Sequence, residues 1–359
     1  MNFPIAELSF AATRTGPANR TIRVGGAGRA FSAGAVFVVA CGMFLLPSPT
    51  AQAQADGTAP ARGTAQGRGA GQGRGAGPGR GPARGPSNAE VQAIYAEQLK
   101  NTPNPVPGIP EPVLLWPEGA PGAVPDANGQ FTDEDKPAVY AFPAPSDNNT
   151  GAAVLILPGG AFTNRCADNE GVQIARFLNR HGIAGFVLRY RIQPNYRNNI
   201  SVLDANRAIR YIRAHAAEYK ISADRVGTIG FSAGAELEGD AFFNGVVEGD
   251  PTSADRLDWF STRPNFIALI YGGRTPREPA KAPPTFMFNT IEDGSHLNAE
   301  VPAWNALRNA GVPTEVHFYN YGEHGTSMSP GDPLLGEWPE LMVGWLKQGG
   351  FLGATKASP

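Results

Sequence analysis

From about residue 112 the chain alternates short, unbroken apolar runs with segments of helical period, and this alternation restricts the fold more than any other feature. Ala153-Val154-Leu155-Ile156-Leu157 is apolar at every position, as a strand buried on both faces must be, and it stops at Pro158-Gly159-Gly160. Gly185 to Tyr190, Val226 to Phe231, Phe266 to Tyr271, Thr285 to Thr290 and Thr314 to Tyr319 read as further strands. Between the first two, Asp168 to His181 places Val172, Ala175 and Leu178 at helical spacing and ends at Gly182. Ser201 with Asp204 reads as a capping box for a helix whose apolar face is Ala205, Ala208, Ile209 and Ile212. Further helices are expected after Ser232, around Trp304 to Ala310, and from Pro339 to Gln348. Strand and helix in this alternation predict an α/β domain, a mostly parallel central sheet covered by helices on both faces, over residues 112–352. Residues 88–111 are then an N-terminal extension and 353–359 a C-terminal tail.

The part before the domain has a different composition. Arg14, Arg20, Arg23 and Arg29 precede an apolar run from Ala33 to Leu46, and Ala51-Gln52-Ala53 follows as a small-residue cleavage site. The run is shorter than the ~20 residues a bilayer-spanning helix needs, so residues 1–53 are expected to be a cleavable signal peptide, and the chain secreted or periplasmic. A retained anchor is the alternative, and lipid attachment at Cys41 a minor one. Residues 54–87, as in Arg68-Gly69-Ala70-Gly71-Gln72-Gly73-Arg74-Gly75, carry too little apolar surface to fold and read as a disordered linker. Once residues 1–53 are removed only Cys166 is left, so no intrachain disulfide can form.

Charge separates the two parts as well. Of 30 basic and 32 acidic residues, nine Arg, Glu7 and Asp56 lie before residue 88, which leaves 21 basic against 30 acidic and a net charge of −9 beyond it. An acidic domain argues against a nucleic-acid ligand, since phosphate binding needs clustered Lys and Arg.

Within the domain one constellation carries chemistry. Gly230-Phe231-Ser232-Ala233-Gly234 joins an apolar strand to a helical segment, the context of a nucleophile elbow, where small residues let a tight turn present the serine hydroxyl above the sheet. A serine hydroxyl needs a base. Of the five histidines, His181 ends a helix, His215 lies on one and His317 sits mid-strand, so these three read as structural. His296 falls in a loop that could contact substrate. His324, in Tyr321-Gly322-Glu323-His324-Gly325 just after the last strand, is the expected base at the carboxyl edge of the sheet. Glu292 and Asp293 close the strand that starts at Thr285, and Asp293 is the preferred partner for the imidazole. The order serine, acid, histidine is that of the α/β-hydrolases. Ala233 N–H, with Gly160 or Ala161 after the first strong strand, would supply the oxyanion donors. Phe162, Glu170, Glu236, His296 and Glu323 are the candidate substrate contacts. No His-Glu-x-x-His cluster and no cofactor fingerprint after a strand occurs in the sequence, so neither metal nor cofactor is expected.

Taken together, Pro158-Gly159-Gly160-Ala161-Phe162, Asn169-Glu170-Gly171, Leu188-Arg189-Tyr190-Arg191, Asp204-Ala205-Asn206-Arg207-Ala208, the elbow, Pro283-Pro284-Thr285-Phe286 and the His324 loop resemble the acetylxylan-esterase-like branch of the α/β-hydrolases, related to dienelactone hydrolases and bacterial carbohydrate esterases. Val113 to Gly122 resembles that branch's opening segment, and the likeness runs from about residue 112 to 352. It implies an α/β-hydrolase fold without a large cap, a Ser232–His324–Asp293 triad, and hydrolysis of acetyl or similar short acyl esters on polysaccharide. This chain departs from the pattern at Gly234-Ala235-Glu236-Leu237, where Gly-Gly-His-Leu is usual. It departs again at Ala161, which replaces a third glycine, at Glu292-Asp293-Gly294-Ser295-His296, where Asp-Asp-x-x-Val-Pro is usual, and at Glu323. Two alternatives stand beside this reading: a peptidase of the prolyl-oligopeptidase type, and a catalytically inactive hydrolase fold used for binding. The expected partner is an acylated carbohydrate or other small ester, with no stable membrane insertion. The sequence leaves the oligomeric state open. The segment Gly272 to Pro284 is short and Pro-rich, which predicts an open cleft. The insertion Gly249 to Arg263 is expected to form a rim, with Trp259 as a packing residue or a sugar-stacking surface.

Overall fold

The structure, a computed structural model, describes residues 108–353. The expected signal peptide, the linker, residues 88–107 of the extension and nearly all of the tail lie outside the described residues. Eight strands form one sheet: β1 (Val113–Leu114), β2 (Ala138–Phe142), β3 (Ala153–Leu157), β4 (Ala184–Arg189), β5 (Val226–Phe231), β6 (Ile267–Ile270), β7 (Thr285–Thr290) and β8 (Thr314–Tyr319). Their order is β1-β2-β4-β3-β5-β6-β7-β8. The β1–β2 and β2–β4 pairs are antiparallel, and every pair from β4 to β8 is parallel. The expected parallel sheet is therefore present, extended by an antiparallel margin.

Helices α1 (Gln173–Arg180), α2 (Asn198–Ala214), α3 (Ala233–Glu238), α4 (Gly294–Asn309) and α5 (Trp338–Gln348) cover the sheet. Alternate side chains of each strand feed two separate cores. On one face Leu155, Leu157, Ile267 and Leu269 meet Ala205, Ile209 and Ile212 of α2, Leu237 of α3 and Leu307 of α4. On the other, Val154, Ile156, Phe286 and Phe288 meet Ile174 and Leu178 of α1 and Trp338, Met342 and Leu346 of α5. Each such side chain withdrawn from water contributes about 1.5–3 kcal/mol, so the layers are held mainly by these two cores. Among the described residues no helix is long and apolar enough to cross a membrane.

Several local expectations change. The segment from Asp168 begins as a π-helical turn over Asp168–Val172 before becoming α1, and His181 caps its end, with Nε2 3.1 Å from Glu340. Ser201 and Asp204 are not a capping box. The helix starts a turn earlier at Asn198, and both residues are buried against Arg191. Asp204 Oδ1 lies 2.6 Å from Arg191 Nη2, Arg191 Nη1 donates to Pro121 O at 2.7 Å, and Ser201 Oγ donates to Arg191 O at 2.6 Å. The helix expected around Trp304 reaches back to Gly294, with Pro302 inside it.

The insertion at 249–263 is not a rim of the cleft. Arg207 and Arg210 of α2 reach Asp255 and Asp258, both at 2.5 Å, and Arg213 donates to Arg263 O. These arginines occupy the middle and last turns of α2, which starts just beyond the carboxyl end of β4 and so runs away from that edge. Trp259 is 44% exposed, with its indole N–H on Ser253 O and Arg256 over its ring, so it is not a core packing residue.

Candidate active site

The elbow is built by backbone geometry. Ser232 follows β5 at φ 51°, ψ −120°, a conformation that costs a non-glycine residue about 1–3 kcal/mol and persists only where the surroundings enforce it. Ser232 N–H donates to Ile270 O at 3.0 Å, and Ser232 O accepts from Glu236 N at the same distance. Gly234 is required by close approach: a Cβ there would run into the Leu157 carbonyl at the end of β3. The same crowding brings the β3 turn onto the nucleophile, since a Cβ at Gly159 would lie 2.9 Å from Ser232 Cβ.

The three groups read from the sequence meet at the carboxyl ends of β5, β7 and β8. Ser232 Oγ is 2.7 Å from His324 Nε2, and His324 Nδ1 is 2.7 Å from Asp293 Oδ2. A carboxylate only accepts, so His324 carries its proton on Nδ1 and offers the Nε2 lone pair to the serine hydroxyl. Ser232 and His324 are partly exposed, whereas Asp293 is buried. Burial by itself would raise the Asp293 pKa. Hydrogen bonds from His296 and His324 outweigh it and hold the carboxyl below its ordinary range. Glu292, the other acid of the pair, serves a different purpose: its Oε2 accepts from Gly322 N at 2.9 Å and ties down the loop that carries His324.

The turn after β3 has Gly160, Ala161 and Phe162 all at positive φ (128°, 54° and 58°). Thr163 N and Asn164 N both donate to Gly160 O, which closes the turn. The amides of Gly160 and Ala161 carry no hydrogen bond among the described residues and are available as oxyanion donors, as is Ala233 N–H at the start of α3. Tyr190 Oη donates to Pro158 O at 2.7 Å beneath this turn.

Two of the five expected substrate contacts lie elsewhere. Phe162 is buried in the core, edge-on to Tyr190. Glu170 is 3% exposed: its Oε2 accepts from Gly159 N at 2.8 Å and its Oε1 from Tyr271 Oη at 2.7 Å. Tyr271 Oη also accepts from Ser327 N at 3.1 Å, so Glu170 joins the oxyanion turn to the histidine loop. Glu236 and His296 are half-buried and Glu323 is exposed next to His324. Glu236 pairs with Arg274 at 2.7 Å. His296, placed in a loop by sequence, lies in the first turn of α4. Its Nδ1 is 2.7 Å from Asp293 Oδ1 and its ring stacks on His324 with centroids 3.7 Å apart. Ligand atoms of Asp293, His296 and His324 lie within 4.8 Å of one another, but both nitrogen–oxygen contacts are hydrogen-bond lengths that engage both carboxylate oxygens.

The other histidines stay away from the site. His215 Nδ1 bonds Tyr211 O at the end of α2, and His317 on β8 pairs with Glu315. No cap is inserted beyond β6. The connection to β7, residues 271–284, contains one 3-10 turn over Pro279–Lys281.

Comparison with known proteins agrees with this architecture. Residues 139–263 match the BD-FAE family model. An acetylxylan esterase of Xylanibacter ruminicola is 32% identical over 236 residues, covering 56% of this chain and 46% of that protein. Endo-1,4-beta-xylanase B of Butyrivibrio fibrisolvens is 26% identical over 227 residues, 52% of this chain and 34% of that protein. The chain thus spans less than half the length of these two relatives. The crystal structure of an acetyl ester-xyloside bifunctional hydrolase from Caldicellulosiruptor lactoaceticus superposes with a TM-score of 0.60 at 28% identity, covering 68% of this chain and 99% of that one. The chain has the α/β-hydrolase fold, matches the BD-FAE family model over residues 139–263, and is similar in sequence to an acetylxylan esterase.

Proposed function

We propose that the chain is a serine ester hydrolase that removes acetyl or similar short acyl groups from a polysaccharide. The observation that carries this reading is the pair of 2.7 Å contacts joining Ser232 to His324 and His324 to Asp293 at the carboxyl edge of the sheet. His324 Nε2 takes the hydroxyl proton as Ser232 Oγ attacks the ester carbonyl, and Asp293 stabilises the imidazolium that results. The amides of Ala233 and of Gly160 or Ala161 receive the tetrahedral oxyanion, each such donor being worth on the order of 10²–10³ in kcat. As the tetrahedral intermediate collapses and its bond to the sugar oxygen breaks, the imidazolium protonates that oxygen, which leaves as the sugar alcohol. Water, activated by the same base, releases the acid from the acyl-enzyme.

The short connection 271–284 leaves a site that suits a bulky polar substrate better than a long acyl chain. The names of the acetylxylan esterase and the acetyl ester-xyloside hydrolase point to the same substrate class. The leader read from residues 1–53 fits action on an extracellular polymer, with the mature chain beginning after Ala53. Acetate release from acetylated xylan, pectin and chitin, beside a p-nitrophenyl ester series, tests the reading. Turnover should be greatest with acetate, fall steeply beyond butyrate, and drop by several orders of magnitude in Ser232→Ala. Near wild-type turnover in that variant, or a maximum at octanoate, would overturn it.

A further inference from the structure

Asp293 serves two imidazoles. His324 Nδ1 is 2.7 Å from Oδ2, and His296 Nδ1 is 2.7 Å from Oδ1. The rings lie face to face, 3.7 Å between centroids and 14° from parallel. With both Nδ1 atoms directed at one carboxylate, both Nε2 atoms lie on the far side of their rings, one of them at Ser232 Oγ. Asp293 is the residue before α4 and His296 the third within it, a spacing that brings their side chains together. An aspartate at that position ordinarily accepts a backbone N–H of the first turn. Here it makes no such bond, because both oxygens face imidazoles.

We infer that His296 is a positioning residue of the catalytic centre: it fixes the Asp293 carboxylate through Oδ1, and its charge sets how readily His324 accepts the serine proton. The inference rests on the serine-hydrolase reading. Without His296, Oδ1 of a buried carboxylate would lack its donor, and the group could rotate away from His324. The charge effect follows from the stack. Proton transfer from Ser232 makes His324 an imidazolium, and a cationic His296 3.7 Å away opposes it.

The groups around His296 bear on when it is cationic. Asp293 faces it from the start of α4, His324 from the loop after β8, and Glu236 from α3 as a more remote charge already paired with Arg274. Ser295 Oγ is 3.4 Å from its Nδ1, Glu300 lies one turn further along α4 bonded to Asn289, and Glu323 is exposed beside His324. The hydrogen bond to Asp293 keeps His296 protonated to higher pH than an ordinary histidine. The charge therefore weakens the base in acid and is relieved as pH rises.

The test uses the full chain with p-nitrophenyl acetate, measuring kcat and KM from pH 5 to 9 for wild type, His296→Val and His296→Asn. At pH 9 the Val variant should lose about tenfold in kcat with KM within twofold, and the Asn variant, whose amide can donate to Asp293, should recover most of that. Toward pH 5 the profiles should diverge, because neither variant can become cationic: the neighbouring charge that resists protonation of the base is gone, so the acid limb of kcat moves to higher pH and both deficits widen. Variant profiles parallel to that of wild type, or a loss confined to KM, would overturn the inference. If the variants do not fold, the His296 imidazole of the wild type, followed by NMR, must titrate in step with kcat; titration elsewhere overturns it too. An inactive wild type whose Ser232 is not labelled by a phosphonate would instead overturn the serine-hydrolase reading beneath it.

Discussion

Replacing Glu170 by Gln changes one atom in the floor of the site and separates two roles for that residue. Its carboxylate accepts from Gly159 N at 2.8 Å and from Tyr271 Oη at 2.7 Å, at 3% exposure. Gln keeps one acceptor oxygen and turns the other into a donor, so one of these two partners loses its acceptor. A buried donor left unsatisfied costs about 1–3 kcal/mol. For a folded body of this size each kcal/mol lowers Tm by roughly 2–4 °C, which gives a fall of about 2–12 °C. Catalysis should suffer as well, because Gly159 leads into Gly160 and Ala161, while Tyr271 holds Ser327 in the histidine loop at 3.1 Å. An oxyanion donor is worth on the order of 10²–10³, so a displaced but not deleted one should cost about tenfold in kcat. Calorimetry and steady-state kinetics on p-nitrophenyl acetate measure both. A residue that touched substrate would instead raise KM and leave Tm in place. An unchanged Tm with kcat within twofold of wild type would refute the idea that this carboxylate ties the two loops together.

Other perturbations have equally definite outcomes. Asp204→Asn leaves Arg191 charged at 0% exposure, so chemical denaturation should report a loss of about 3–5 kcal/mol. Glu238 is fully buried beneath the elbow, and burial pushes its carboxyl well above the usual range. The folded protein therefore binds that proton more tightly than the unfolded chain, whose glutamates titrate at about 4.3, and stability is lost as pH rises from there through the raised value. Glu238→Gln has no such loss, so its Tm advantage over wild type should grow from pH 5 to pH 8 in thermal melts. Deleting residues 1–87 should leave kcat on p-nitrophenyl acetate within twofold, since residues 1–53 are expected to be cleaved and residues 54–87 have too little apolar surface to join either core.

The strands from β3 to β7 were legible because burial on both faces leaves largely apolar runs in the sequence, whereas β8 is half-buried throughout and carries Glu315 and His317. Ala138–Phe142 escaped notice because it is one short run in a Pro- and Asp-rich stretch, and its burial follows no simple alternation. Ser232, Asp293 and His324 could be picked out since each follows a strand, two of them in glycine-flanked turns. What could not be read were partnerships set by tertiary contact. Glu170 and Tyr271 are 101 positions apart, and the Asn169-Glu170-Gly171 motif announced only that something there mattered. Arg191 and Asp204 lay inside motifs already singled out, yet nothing local showed that they bind each other. His296 was placed in a loop because Gly294 and Pro302 obscure the start of α4. Its departure from the usual pattern was the one available signal of a separate role.

The uncapped connection between β6 and β7 also bears on the second half of the reaction. On the proposed mechanism, an acyl group on Ser232 would meet whatever hydroxyl the surrounding solution supplies, and a sugar alcohol would differ from water there chiefly in concentration and fit. Deacylation is then a competition between acceptors. In dilute substrate water takes the acyl group and the ester is hydrolysed. Near a dense, partly deacylated polymer, or in added methanol, part of the flux would pass to alcohol oxygen, moving acyl groups between sites rather than releasing them.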